Sequence, residues 1–178
     1  MDKKEEILPD RTFVINLLRR LNIPHSVMKH SEKVAEKALE IAKNITKAKL
    51  NMDLIEIGAI LHDIGRTKTH GFDHAIIGGK ILRKRGFSIK LARICETHIL
   101  GGLDKEDAKK IGLPEKEYLP MSIEEKIICL ADKYIAGTRE VSIEERFSRW
   151  FQKYGRSEIL LKSKNRIEKI QKEIKNLM

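Results

Sequence analysis

Apolar residues recur at steps of three and four along almost the whole chain, while the strict alternation of a half-buried strand is nearly absent. That pattern predicts an all-α fold, and caps and stops divide it into elements. Pro9-Asp10 opens a helix to about Leu21, and Asn22-Ile23-Pro24 ends it, since proline keeps its predecessor out of helical geometry. Ser26 is expected to cap a helix to about Ile45. Further helices are predicted from Met52 to Ile64, from Phe72 or Asp73 to about Gly86, and from Ser88 to Gly101-Gly102. A short polar helix from Asp104 to about Ile111 precedes a loop over Pro114 to Pro120. Ser122/Glu125 and Ser142/Glu145 have capping-box spacing and open helices to Ile135 or Ala136 and over Phe147 to Tyr154. Ser157 to Met178 is amphipathic, with Ile159, Ile167, Ile170 and Ile174 on one side, and is expected to pack on the bundle or on a second chain. The expected organisation is one domain: an N-terminal helix in residues 1–25, a core over 26–140, and a C-terminal helical extension over 141–178.

The 178 residues suffice to bury a core without disulfide or metal support. No run approaches the ~18 apolar residues of a membrane span, and MDKKEEILPD lacks the apolar stretch of a signal peptide. Cys95 and Cys129 stand in apolar stretches and read as small buried hydrophobes of a cytoplasmic protein. The net charge of +10 is interleaved rather than clustered, and Lys, Glu and Ile are abundant while Gln is scarce, as on thermophile surfaces. A basic face attracting phosphate-bearing ligands is the sharper alternative. Aromatics make up only 5%, which argues against stacking on single-stranded bases and leaves nucleic acid as the less favoured partner.

Several ionisable residues fall on apolar helix faces. His30 precedes Val34, Ala38, Ile41 and Ile45 at helical steps, and His62 follows Ile55 and Gly58-Ala59 in the same way. Asp63 is the next residue, and Asp132 lies between Ile128 and Ile135. A buried aspartate is expensive without a partner. Two of them, with two inward histidines on separate helices, call for a shared divalent cation. His98 follows Leu91 and Ile94 at the end of its helix, and His74 sits at a helix start above Ile77 and Ile81. An imidazolium is disfavoured at a helix N-terminus, whereas a neutral, metal-bound ring is tolerated there. His70 is the alternative ligand to His74, and His25 beside Pro24 faces solvent.

Leu61-His62-Asp63-Ile64-Gly65, with His30 upstream and Leu130-Ala131-Asp132-Lys133 downstream, resembles the HD metal-dependent phosphohydrolase superfamily in the order H…HD…D. His74-Ala75-Ile76-Ile77-Gly78-Gly79 and Glu96-Thr97-His98-Ile99-Leu100-Gly101-Gly102 resemble the further histidine segments of two-metal members. Asp132 and Arg139 match the distal element of HD-type dinucleoside polyphosphate hydrolases, and Leu113-Pro114 and Ile123–Ile127 resemble small archaeal HDIG proteins. The resemblance covers about residues 26–140 and implies an HD-domain helical bundle.

It also implies one ion held by His30, His62, Asp63 and Asp132, and a second held by His74 and His98 with Asp63 bridging. Iron or manganese fits mixed imidazole and carboxylate donors best, with nickel, cobalt, zinc or magnesium as further candidates. Two such ions ~3.5–4 Å apart can acidify a shared water for attack on phosphorus. Asp63 would orient that water, and Arg66, Lys68 and Arg139 are the candidates to receive the phosphate. Thr67 and Thr97 adjoin the site, segments 67–72 and 100–120 are expected to form its mouth, and Tyr118 either stacks on substrate or packs beneath the loop. The expected activity is hydrolysis of a small nucleotide-like phosphate ester, diester or monoester. The resemblance leaves two alternatives, a di-iron oxygenase or a non-catalytic nucleotide- or RNA-binding module. A homodimer through the last helix is compatible with all three.

Overall fold

A computed structural model describes residues 8–178. The expectation that no leader is present falls mainly on residues 1–7, which lie outside the described residues. Nine α-helices are found among the described residues: α1 (Arg11–Arg20), α2 (His25–Lys43), α3 (Met52–Leu61), α4 (His74–Lys84), α5 (Ile89–Thr97), α6 (Lys105–Lys110), α7 (Ile123–Tyr134), α8 (Ile143–Tyr154) and α9 (Glu158–Leu177). Most start where a short polar side chain can accept from an otherwise orphaned amide. Asp10, Asn51, Ser88, Asp104, Ser122, Ser142 and Ser157 each accept from the backbone N–H three residues on.

Several boundaries differ from expectation, α5 among them, which ends at Thr97 rather than at Gly101-Gly102. α2 begins at His25 rather than after Ser26, because Pro24 takes the N-cap position with φ −55° and ψ 137° and no side-chain cap is needed to start the helix. α3 ends at Leu61 instead of Ile64, and the chain passes through His62 and Asp63 into a 3₁₀ turn, Ile64–Thr67. The cause is a close backbone approach: a Cβ on Gly65 would lie 1.8 Å from the His74 carbonyl oxygen and 2.8 Å from the Gly78 nitrogen. α7 ends at Tyr134, where a small antiparallel pair forms between β1 (Ile135–Ala136) and β2 (Arg139–Glu140), turning at Gly137 with φ +64°. Two-residue strands are too short to show an alternation in sequence.

α3 is the hub, carrying fully buried Ile55, Ile60 and Leu61 and packing on α1, α2, α5 and α7. A second apolar cluster gathers Ala75, Ile76, Leu103, Tyr118 and Leu160 beneath the loop after α5, where Leu103 and Tyr118 pair through their backbones. Tyr118 is therefore packed under the loop and does not line the site. α9 lies on α7, α8 and the turn at 99–101, burying Leu160, Ile167, Ile170 and Ile174, with Ile159 half-buried. Its polar side is clamped as well, since Arg166 and Lys162 pair with Asp104 and with fully buried Asp107. Both cysteines are free and buried. No helix among the described residues is long and apolar enough to cross a membrane.

Candidate metal centre

Six side chains from five segments converge. α2 carries His30, the end of α3 delivers His62 and Asp63, α4 starts at His74, α5 ends against His98, and α7 carries Asp132. The close approach of Gly65 to the first turn of α4 is what sets Asp63 beside His74.

Each imidazole is fixed by a backbone carbonyl on its Nδ1 side. His30 meets Gly137 O at 2.8 Å, His62 meets Ala59 O at 2.7 Å, His74 meets Gly71 O at 2.6 Å, and His98 meets Cys95 O at 2.7 Å. A carbonyl can only accept, so every Nδ1 carries the proton and a neutral ring then presents a bare Nε2 lone pair. Those lone pairs point at one another and at carboxylates. His74 Nε2 is 3.2 Å from His98 Nε2 and 3.1 Å from Asp63 Oδ1, which is also 3.4 Å from His98 Nε2. His62 Nε2 lies 3.7 Å from Asp63 Oδ2 and 3.6 Å from Asp132 Oδ1, and His30 Nε2 lies 2.9 Å from that same Asp132 oxygen.

Acceptors facing acceptors in a largely buried cluster are costly unless a cation, a proton or a metal ion, lies between them. His62 Nε2 and Asp63 Oδ1 are buried and make no hydrogen bond. Three overlapping triads, His30/His62/Asp63, His62/His98/Asp132 and Asp63/His74/His98, each bring ligand atoms within 4.8 Å of one another and can hold a metal ion. The carbonyl behind each imidazole is the outer-shell support that metal-ligating histidines need.

The electrostatics agree with that chemistry. Burial would raise both aspartates, but His62, His74 and His98 hold Asp63 well below the ordinary carboxylate range, and Lys133, His30 and His62 do the same for Asp132. Burial pushes His98 down to about 4 against the pull of Asp63, so it is neutral near pH 7. Burial also lowers His62, but Asp63 and Asp132 outweigh it and raise the ring, so a proton competes with a metal there.

The centre forms the floor of a cavity of about 890 Å³. Arg66 lines it and donates from Nε to Asp63 Oδ2 at 2.9 Å. Lys133, only 3% exposed, donates to His98 O at 2.9 Å and also holds Asp132 Oδ2. Arg146 of α8 donates to the carbonyls of Lys133 at 2.9 Å, Asp132 at 3.2 Å and Ile135, closing the end of α7.

Other expected site residues are placed elsewhere. Arg139 does not line the cavity: the hairpin at Gly137 directs it outward, where it is exposed and pairs with Glu145 at 2.7 Å. Lys68 is exposed and also off the cavity wall, because the 3₁₀ turn spends its length against α4. His70 reaches the rim but joins none of the triads, and His25 is exposed at the start of α2. Thr67 and Thr97 return their hydroxyls to the carbonyls of Ile64 and Arg93. Lys133 and Arg146 were missed in the sequence. Lys133 had a signal, standing four residues after Cys129 on an apolar face. Arg146 had none, since its place depends on how α8 docks.

Residues 27–137 match the HD domain family. An uncharacterized protein of Methanocaldococcus jannaschii is 39% identical over 166 residues, covering 92% of this chain and 96% of that one. A tRNA (cytidine(56)-2'-O)-methyltransferase of Thermoplasma volcanium is 38% identical over 143 residues, covering 80% of this chain, which spans only 41% of that relative's length. Among solved structures, the HD domain of the L. monocytogenes phosphodiesterase PgpH, in complex with cyclic-di-AMP, aligns with a TM-score of 0.54 over 91% of this chain and 95% of that one. Its sequence identity is 20%, so that likeness is one of fold. The matched segment spans every residue of the histidine–aspartate cluster, and this chain belongs to the HD domain family.

Proposed function

We propose that this chain is a divalent-metal-dependent phosphohydrolase that cleaves a small nucleotide-like phosphate ester. The observation that carries the reading is the cluster itself: four carbonyl-fixed imidazoles and two low-pKa aspartates on the floor of a cavity whose wall also presents Arg66, Lys133 and Arg146. His30, His62, Asp63 and Asp132 would hold one ion, and His74 and His98 a second, with Asp63 shared. Bound divalent ions, iron or manganese first, would polarise phosphoryl oxygens and acidify water at the site. Two such ions would more than neutralise the two aspartates, leaving a cationic floor that favours an anionic substrate over a neutral one.

The protein's own groups then have defined tasks. Arg66 fixes Asp63 through Oδ2, which keeps the carboxylate in place to hold the ions and orient the attacking water. Lys133 and Arg66 offer cationic donors to the developing charge on the phosphate. Arg139 and Lys68 would act, if at all, on substrate parts beyond the cavity wall.

The test is hydrolysis of a panel holding 2′,3′-cyclic nucleotides, mononucleotides, dinucleoside polyphosphates and an artificial diester, with Fe(II), Mn(II), Ni(II) or Mg(II). Metal-dependent turnover by wild type, lost in Asp63→Ala, is the expected result. Silence across the panel with metal bound overturns the reading in favour of oxygenase chemistry.

A second reading has one observation behind it, the likeness to part of a tRNA methyltransferase, which joins the +10 charge in favouring RNA. RNA binding that falls steeply with salt, without hydrolysis, would establish a binding module instead.

A further inference from the structure

α8 and the start of α9 lie beyond the segment that matches the family, yet they supply much of the cavity's outer wall. The chain has nine aromatic residues, and three of them, Phe72, Trp150 and Tyr154, line this one cavity. Tyr154 is 60% exposed and Phe72 49% exposed, and large exposed apolar groups lining one cavity mark a binding surface. Ile159 and Leu160 extend the same apolar rim.

Trp150 is held in a fixed attitude. The Phe147 ring meets it edge-on, with centroids 5.1 Å apart at 83°, and the Arg146 guanidinium lies 5.5 Å over its ring. Arg146 is in turn locked to the carbonyls at the end of α7, the helix that bears Asp132. The aromatic wall and the metal floor are therefore registered to each other through one side chain. A cavity of about 890 Å³ also far exceeds what a bare phosphate fills, and lies near the top of the ~300–1,000 Å³ range of small-molecule pockets. Aromatic at the mouth, and cationic at the floor once divalent ions are held there, the site would be complementary to an anionic head joined to a flat heterocycle.

We propose that Trp150 and Tyr154, with Phe72 on the neighbouring loop, form a nucleobase subsite that makes the substrate a nucleotide rather than a base-free phosphate ester. This rests on the phosphohydrolase reading for the position of the phosphate. Stacking on aromatic side chains tolerates any base, so the subsite selects for the presence of a base and only weakly for its identity.

Trp150 is the only tryptophan in the chain and reports directly on the subsite. The experiment titrates Mn(II)-loaded protein with AMP and with ribose 5-phosphate, following tryptophan emission and binding heat. AMP is expected to change the emission saturably and to bind at least about tenfold more tightly than ribose 5-phosphate. Tyr154→Ala, a change at an exposed position, should weaken AMP about fivefold or more and leave ribose 5-phosphate unchanged, with Phe72→Ala acting in the same direction. Equal affinity for the two ligands, or AMP binding with silent emission and no response to either variant, overturns the subsite. The two readings fail separately. Turnover of the ester panel with silent Trp150 emission and no response to either variant removes the subsite and leaves the hydrolase. A silent panel with base-dependent binding intact removes the hydrolase and leaves the subsite.

Discussion

Two charged clusters, each centred on a pair of aspartates, are used in opposite ways. Around α6 and α9, Asp104 and Asp107 face Lys162 and Arg166, and each carboxylate has a cation within 3.4 Å. Asp104 also caps α6. That network is complete and ties the last helix to the loop after α5. At the cavity floor, Asp63 and Asp132 meet four imidazoles whose protons are turned away to carbonyls, and two buried polar atoms make no hydrogen bond. A closed network holds the fold together, and an open one waits for a ligand. Burial alone does not distinguish them. The direction of the protons does.

The largest effect that separates the two is on turnover. Asp63→Ala should lower metal-dependent hydrolysis by at least about a hundredfold, far more than it disturbs thermal unfolding of the metal-free protein, where only the Arg66 and histidine contacts of one carboxylate are lost. Equal losses of activity and stability would erase the distinction. Next comes Asp107→Ala, which removes the fully buried carboxylate shared by Lys162 and Arg166. Both cations keep Asp104 as a partner, so denaturant unfolding should show a clear loss of stability without loss of the metal site itself. A third effect is smaller. Mn(II) at a hundred times its dissociation constant should stabilise the wild type by about 2.7 kcal/mol, a gain that His62→Ala or a chelator removes and Asp107→Ala leaves in place.

The smallest effect is acid-dependent. Burial would raise Asp104, but the Asp107 amide, Arg166 and Lys162 outweigh it and hold the carboxyl below its ordinary value. Its contribution is therefore present above the unfolded-state pKa and is lost as pH falls through the lower folded value. Asp104→Asn, which keeps the cap and loses the charge, should be less stable than wild type at neutral pH. The gap should close as the pH approaches the acid limb.

The ligand cluster was legible because each member sits at a helical step from apolar neighbours, and periodicity survives translation into a face. Asp132 between Ile128 and Ile135 is the plainest case. The phosphate-binding cations were less legible. Arg139 stands at a helical distance from Asp132 in sequence, but α7 stops at Tyr134 and a hairpin turns the side chain out to Glu145. Arg146 reaches the end of α7 from a helix whose docking no local pattern encodes. The aromatics show the same limit from the other side. A 5% content argued against stacking, yet the fold brings three of the nine rings to one mouth. Composition counts residues, and only tertiary packing decides where they accumulate.

The contact between Gly65 and the start of α4 has a consequence for precision. Asp63 and His74 belong to different segments, and the spacing of their backbones is set where one rests on another at Gly65 with no side chain between. Rotamer hopping, the main source of positional noise in a warm protein, does not enter that spacing. It is a gauge fixed by the thickness of a peptide unit. Even a single methyl group at position 65 would reset it.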